Sequence, residues 1–491
     1  MKKILFLFVL LFSFLFTFSQ NISVKLIDKN NKNPIPYATI KTGEFSGVIS
    51  NEEGYFTINL DKNELETISI SCLGYQNITV SIQNIKASNF IIELDEAINQ
   101  LNEVYISNKK HNADSIIAKV RAKVIDNYKD NLFIFNIFRR NTKYANFKNL
   151  DFEIEKASQV RKKNLEDANT NLSALSKKIT ESNVKHFTEI KGKIYSKNYK
   201  NSKTVVEKAS KLIDHKNDFS IENIQEKAQS IVLKYLDTTK TYKLKTGFFK
   251  IEDSLSIKDE NLKDEQKNEF NLSELNKETR ALLNHTQFYS NSFLDKIINA
   301  NLYKYTFDDI TYNDGGLTYK ISFEPKKSKS KYTGTLFISD KNFAITQIAY
   351  KYFNNRHGDK FNLKLLLGVK YMENVSEGLI IFEQNANYIY QPKYLKQTTG
   401  SYFYVNRDLK FIENSPAKNK VSFSFKIEGD ARNKEELLFT GNFELTNEDY
   451  AIIKQPEVAP YTILKKFEKS IWQNENIIEP LQEMKSFNSE D

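Results

Sequence analysis

The sequence predicts a mostly β protein with an α+β remainder, and three observations predict it. Apolar and polar residues alternate from Ile22 to Leu94 and again from Leu302 to about Leu445. Between those stretches the apolar period lengthens to that of helices. Aromatic side chains that suit strands are abundant, with 36 Phe and 26 Tyr among 491 residues. The expected order is a leader (1–19), an N-terminal β-sandwich (20–108), a mixed helical region (109–300), a C-terminal antiparallel β region (301–450) and a tail (451–491).

The leader reads MKKILFLFVLLFSFLFTFSQ. Lys2 and Lys3 precede an apolar run, Ile4 to Phe18, too short to span a membrane comfortably, and Thr17 and Ser19 place small residues before a cut at Gln20. A secretory signal peptide is expected; an uncleaved anchor is the other reading. Cys72 is the only cysteine, so there is no internal disulfide and no cysteine after the cut to carry a lipoprotein anchor. No later segment is apolar for long enough to form a transmembrane helix. The net charge is +9, and it rests on lysine rather than on arginine. With no arginine cluster beyond Arg139–Arg140, nucleic acid is not an expected partner.

From Ile22 onward, short strands alternate with turns. Phe56, Ile58 and Leu60 face one way, as do Ile78, Val80 and Ile82, and Phe90, Ile92 and Leu94. Ile68, Ile70 and Cys72 share one strand face, which makes the thiol a small buried hydrophobe. Between two strands lies SNEEG. Ser50 and Asn51 can bond to nearby backbone there, and Gly54 can take a positive φ. Glu52 and Glu53 are adjacent, whereas a calcium loop needs alternating acids, so this is a turn and not a metal loop.

Four motifs of this stretch, PIPYATI, GVISNEEGYFTI, ISCLGY and LNEVYI, follow in order and spacing those of the carboxypeptidase-regulatory-like domain, which residues 22–106 resemble. That family is transthyretin-like (prealbumin-like) and stands at the N-termini of many secreted and outer-membrane proteins of Gram-negative bacteria. Val24 stands where the family usually has glycine. The resemblance implies an accessory or docking module that is not itself catalytic. The domain also precedes the plug of TonB-dependent transporters, for which the remaining chain is too short and too helical.

In the middle, Ala113, Ile116, Ile117, Val120, Val124 and Ile125 mark one helix face. Leu165, Ala168, Leu172, Leu175 and Ile179 form a narrow stripe on a second helix. Further helices are expected over 220–235, 272–283 and 292–298. FIFNIFRR and YKLKTGFFKI read as strands, and residues 250–270 as an exposed loop. Five histidines prompt a search for the His-x-x-Glu spacing of zinc carboxypeptidases. His186 with Glu189, His111 with Asp114 and His215 with Asp218 all fit it loosely, which shows how cheap the pattern is. No catalytic, cofactor-binding or metal-ligating residue and no cofactor is assigned. There is also no nucleophile elbow, phosphate loop or dinucleotide fingerprint.

In the second β region, Tyr319, Ile321 and Phe323, then Leu363, Leu365, Leu367 and Val369, then Val421, Phe423, Phe425 and Ile427 alternate with mostly polar partners. NDGG (313–316) and SDKN (339–342) read as hairpin turns. The apolar face of such a sheet must be covered. Either the middle helices fill it, or it curls around a ligand as in the Lol-type lipoprotein carriers, which YTGTLFISDKNFAITQIAY faintly resembles, or it forms a membrane barrel. The tail resembles that of uncharacterised secreted proteins sharing the first domain. The leading functional expectation is an exported, non-catalytic cell-envelope protein, a binding or scaffold module at the periplasmic side of the outer membrane. Its expected partner is an envelope protein, a glycan or a lipid. A carrier of a lipid or other apolar ligand comes second, and a metallo-carboxypeptidase-like enzyme third.

Overall fold

The computed structural model describes residues 21–489 apart from 44–45, 61–65, 98–110, 130–131, 159, 183, 214–235, 238, 247–248, 257–267 and 386. The expected leader, the helix over 220–235 and the His215–Asp218 pair lie outside the described residues.

The N-terminal unit comprises β1 (Asn21–Asp28), β2 (Thr39–Gly43), β3 (Ser46–Ile49), β4 (Tyr55–Asn59), β5 (Thr67–Ser71), β6 (Ile78–Ser81), α1 (Ile82–Ala87) and β7 (Ile91–Leu94). Two sheets, ordered β4-β1-β7 and β3-β2-β5-β6, face each other. Val24 and Leu26 from β1, Phe56 and Ile58 from β4, and Ile68 and Ile70 from β5 fill the space between them. The sandwich is not wholly antiparallel, because β7 runs parallel to β1. Helix α1, capped by the Ser81 hydroxyl accepting from the Asn84 N–H, carries the chain across from β6. Cys72 packs against the core as its strand face predicts, and burial pushes its thiol up to about 12.

The remainder continues with α2 (Ala113–Asn127), β8 (Phe133–Ala157), α3 (Lys162–Glu181), β9 (Val184–Asn198), β10 (Asn201–Leu212), β11 (Thr241–Thr246), β12 (Phe249–Ser256), β13 (Glu269–Asn271), α4 (Leu272–His285) and α5 (Phe293–Ile297). Then come β14 (Tyr303–Asn313), β15 (Gly316–Pro325), β16 (Tyr332–Ser339), β17 (Ile345–Tyr352), β18 (Lys360–Leu363), β19 (Val369–Gln384), β20 (Tyr390–Glu413), β21 (Lys420–Glu444), β22 (Val458–Pro460) and β23 (Thr462–Leu464). Fourteen of these strands form one sheet, whose main path is β14-β15-β16-β17-β19-β20-β21-β8-β9-β10-β23. The sheet therefore takes in strands from both sides of position 300. The turn residues Asp314 (φ 47°) and Gly315 (φ 72°) join β14 to β15 as a tight hairpin.

Three local expectations are corrected. The start of the stretch expected as an exposed loop, residues 250–256, instead continues β12 and pairs with β11, while residues 257–267 of that stretch lie outside the described residues. Lys364–Leu367 make one helical turn closed by Gly368 at φ 64°, so Leu365 is fully exposed instead of facing a core. Ile125 is exposed too. Helix α2 buries Ala113, Ile116, Ile117 and Val120, and one step past Val124 the helix has rotated away from the sheet.

The long strands are layered along their length. On one face of β8 the side chains run Phe133, Phe135, Ile137, then Arg139, Asn141, Lys143, then, past Ala145 and a bulge after Phe147, Leu150, Phe152 and Ile154. β21 matches them layer for layer: Leu437 opposite Arg139, Glu435 opposite Asn141, Asn433 opposite Lys143, and Phe425 and Phe423 opposite Phe152 and Ile154. Helices α2, α4 and α5 cover the first apolar layer, with Leu282, Leu294 and Ile297 packing on Phe135 and Ile137. Helix α3 covers the other through Ala168, Leu172 and Ile179, which pack with Phe152 and Phe423. The apolar stripe predicted for α3 is thus a sheet contact and not a helix pair. Among the described residues no helix is long and apolar enough to cross a membrane.

Candidate functional site

The polar layer between those two packed ends is left as a trough. Seven adjacent strands, from β9 through β8, β21, β20, β19 and β17 to β16, contribute to a cavity of about 520 Å³ whose walls carry Tyr332, Tyr352, Tyr371, Ser376, Thr399 and Ser401. A second cavity of about 520 Å³ lies toward α4 and β10 and is lined by Arg139, Asn141, Lys211, Glu274 and Glu278. Lys143, Gln397 and Asn433 line both, so the two are lobes of one trough.

The second lobe is braced by charge. Arg139 donates to both Glu435 oxygens, at 2.9 and 2.8 Å, and to Glu278 at 3.0 Å, while Asn141 Nδ2 donates to Glu435 at 2.7 Å. Burial works against the Arg139 charge, and Glu435 and Glu278 outweigh it, holding the guanidinium above its ordinary range. On β10, Lys211 sits against the rings of Phe270 and Tyr461, 4.7 and 4.0 Å from their centroids. Burial first, and the nearby Lys143 charge next, press the Lys211 ammonium below its ordinary range, with Glu278 countering. In the first lobe, Tyr332 and Tyr352 stack at 5.2 Å. Behind Gln397, His285 Nε2 lies 2.7 Å from the Tyr350 hydroxyl, and burial drops that imidazole to about 4.

The opposite face of the same polar layer is where the N-terminal unit docks. Tyr37 stacks on Tyr394, and Ile49 packs with Phe138, Leu438 and Trp472. The tip of the SNEEG turn reaches furthest. Glu52 lies 2.7 Å from Lys396 and 2.8 Å from Lys434, and the Gln482 N–H donates to Glu53 at 3.1 Å. Asn51 Oδ1 accepts from the Glu53 and Tyr55 N–H groups while its Nδ2 donates to the Glu479 carbonyl. Gly54 has φ 77°, and a Cβ there would meet the Leu26 carbonyl oxygen at 2.6 Å. The stretch is a turn, as its residues predict, and the first of its acids, Glu52, holds two lysines.

Residues 22–106 match the family model of the CarboxypepD_reg-like domain. They are a CarboxypepD_reg-like domain. No curated protein and no solved structure matches the chain. The CarboxypepD_reg-like domain and the C-terminal tail together cover the face of the large sheet opposite the trough, with Trp472, Ile477 and Ile478 lying beside Ile49.

Neither of the two described histidine pairs assembles. His186 and Glu189 are three apart on a strand and so point to opposite faces. His186 lines the trough, whereas Glu189 is buried on the opposite face, where it accepts from Arg140 (2.9 and 2.6 Å) and from the Trp472 indole. His111 lies against Phe307, with ring centroids 4.9 Å apart, and Asp114 opens α2. No cluster of three or more His, Cys, Asp or Glu arranged for a metal occurs among the described residues. Of the trough residues only Arg139 and His186 stand out in the sequence, and neither for this layer. Their signal is the stripe Phe133, Phe135, Ile137, whose next three members are Arg139, Asn141 and Lys143.

Proposed function

We propose that the protein is an exported cell-envelope binding protein, in which the trough holds a polar ligand and the CarboxypepD_reg-like domain is a non-catalytic clamp behind it. The trough itself carries the reading. Two joined cavities of drug-sized to oligomer-sized volume converge on hydroxyls, amides and a few charges, and the sheet's apolar face is already filled by helices. The lysine-led apolar leader and the envelope setting of the family that residues 22–106 resemble support export. An acyl chain in this trough would strand hydrogen-bonding groups at about 1–3 kcal/mol each, which disfavours the lipid-carrier alternative.

The test is a thermal-shift screen of the full chain against soluble envelope glycans, peptides and a fluorescent acyl probe. Gln397→Trp fills the junction of the lobes. A polar ligand is expected to raise the melting temperature of the wild type, and Gln397→Trp should abolish that rise while keeping its own melting temperature. Stoichiometric lipid in the purified protein, or an acyl probe bound and blocked by Gln397→Trp, would establish the carrier instead. Recovery of the native protein in the cytosolic fraction would refute export.

A further inference from the structure

We infer that the trough takes an acidic oligosaccharide, with sugar rings along the tyrosine-walled lobe and a carboxylate held by Lys143 and Lys211. The inference rests on the binding reading above and names the class of its ligand.

The two lobes offer different chemistry. In the first, tyrosine rings give flat apolar faces, and Ser376, Thr399 and Ser401 are hydroxyls that both donate and accept. A sugar hydroxyl has the same dual character, and a pyranose presents apolar C–H faces between its hydroxyls, so both sets of wall groups are used together. The second lobe carries three cations, Arg139, Lys143 and Lys211, and three carboxylates, Glu274, Glu278 and Glu435, but they are not evenly paired. The buried carboxylate Glu435 and the exposed Glu278 are already taken by Arg139. Lys143 and Lys211 make no ion pair among the described residues. Glu274 is the remaining acid of that lobe and lies exposed on α4. The two rings that flank Lys211 fix its ammonium before any ligand arrives, which lowers the ordering cost of binding. An anion placed against both lysines relieves their mutual repulsion.

Extended peptides add to sheet edges, and this trough lies on a sheet face. The occupant must also be elongated, because the lysines stand at the junction and far lobe while the stacked Tyr332 and Tyr352 stand in the near one.

Isothermal titration of the full chain with a galacturonate hexamer, a mannuronate hexamer, a neutral glucose hexamer and inorganic phosphate tests this. Binding of a uronate hexamer is expected, weakening at least tenfold in Lys143→Gln/Lys211→Gln and weakening as salt rises. Tyr352→Ala should weaken it as well. Unchanged melting temperatures would show that the variants fold. If the neutral hexamer binds as well as the acidic ones and the lysine variant binds normally, the acidic assignment fails while the binding reading stands. Phosphate binding as tightly as the uronates would mark a free-anion site and overturn the oligosaccharide. No binding by any of the four overturns the inference, and an empty screen of peptides and glycans with the wild type would then overturn the binding reading as well.

Discussion

Glu52 and Lys434 lie 2.8 Å apart, although one sits on a hairpin turn of the N-terminal sandwich and the other in the middle of a 25-residue strand near the far end of the chain. Lys434 is almost wholly buried and Lys396 shares the same carboxylate at 2.7 Å. Burial alone would raise the Glu52 carboxyl, but the two lysines outweigh it and hold it down to about 2. A carboxylate depressed in the folded state stabilises it above the ordinary carboxylate range, and that contribution is lost as pH falls from about 4.5 through about 2. Wild type should therefore lose about 1–2 kcal/mol more than Glu52→Gln between pH 6 and pH 2.5 in urea unfolding, a figure discounted because a third of the side chain is exposed. Parallel pH curves for the two proteins would refute the pairing.

Gly54→Val should destabilise the sandwich by about 1–3 kcal/mol, since valine must adopt the positive φ and its Cβ would meet the Leu26 carbonyl oxygen. Calcium and chelator should leave the melting temperature unchanged. A calcium-dependent rise of several degrees would contradict the turn.

His285 is half-buried against the Tyr350 hydroxyl, and desolvation lowers its imidazole from 6.5 to about 4 by disfavouring its charge. The unfolded chain then takes up a proton that the folded chain refuses. Stability should fall as pH drops from about 6.5 to about 4, by up to about 3 kcal/mol, and level off below. His285→Gln should flatten that slope. Equal slopes in both proteins would exclude His285 as its source.

Phe423→Ala should cost about 2–5 kcal/mol, because the ring is buried against Phe152 beneath α3. Leu365→Ala should change stability by less than about 0.5 kcal/mol, since that side chain is fully exposed. Comparable losses at both positions, read in chemical unfolding, would contradict the layering.

The strands that bury one face wholly were legible in the sequence, as were helices with a strict stripe. Phe423 and Phe425 alternate against serines, and α3 carries Ala168, Leu172 and Ile179 at helical spacing. Leu363, Leu365 and Leu367 show the limit of that logic. Alternation alone suggested a strand, while Gly368 at a positive φ ends a helical turn. The trough was hidden for a related reason. Arg139, Asn141 and Lys143 interrupt an apolar series, and a polar interruption reads as strand ends or exposed loop unless its partners Glu435 and Asn433, almost 300 residues later, are placed opposite. The single bulge that restores the stripe at Leu150 leaves no mark in composition.

The join between β8 and β21 has a kinetic meaning. The strands that precede it, β8 to β10, pair as a local meander, and β14 to β21 pair among themselves in chain order. The long edge of Phe133–Ala157 against Lys420–Glu444 fastens the two blocks, with partners separated by up to about 300 positions, and the short parallel pairing of β10 with β23 adds a second tie. Contacts of that separation form late, after their loop-closure entropy has been met. The molecule is therefore built as two half-sheets zipped mainly along one line, with β23 closing the outer side of β10. Two co-expressed fragments divided within the segment between β10 and β11 should reassociate along it, each supplying one wall of the zipper.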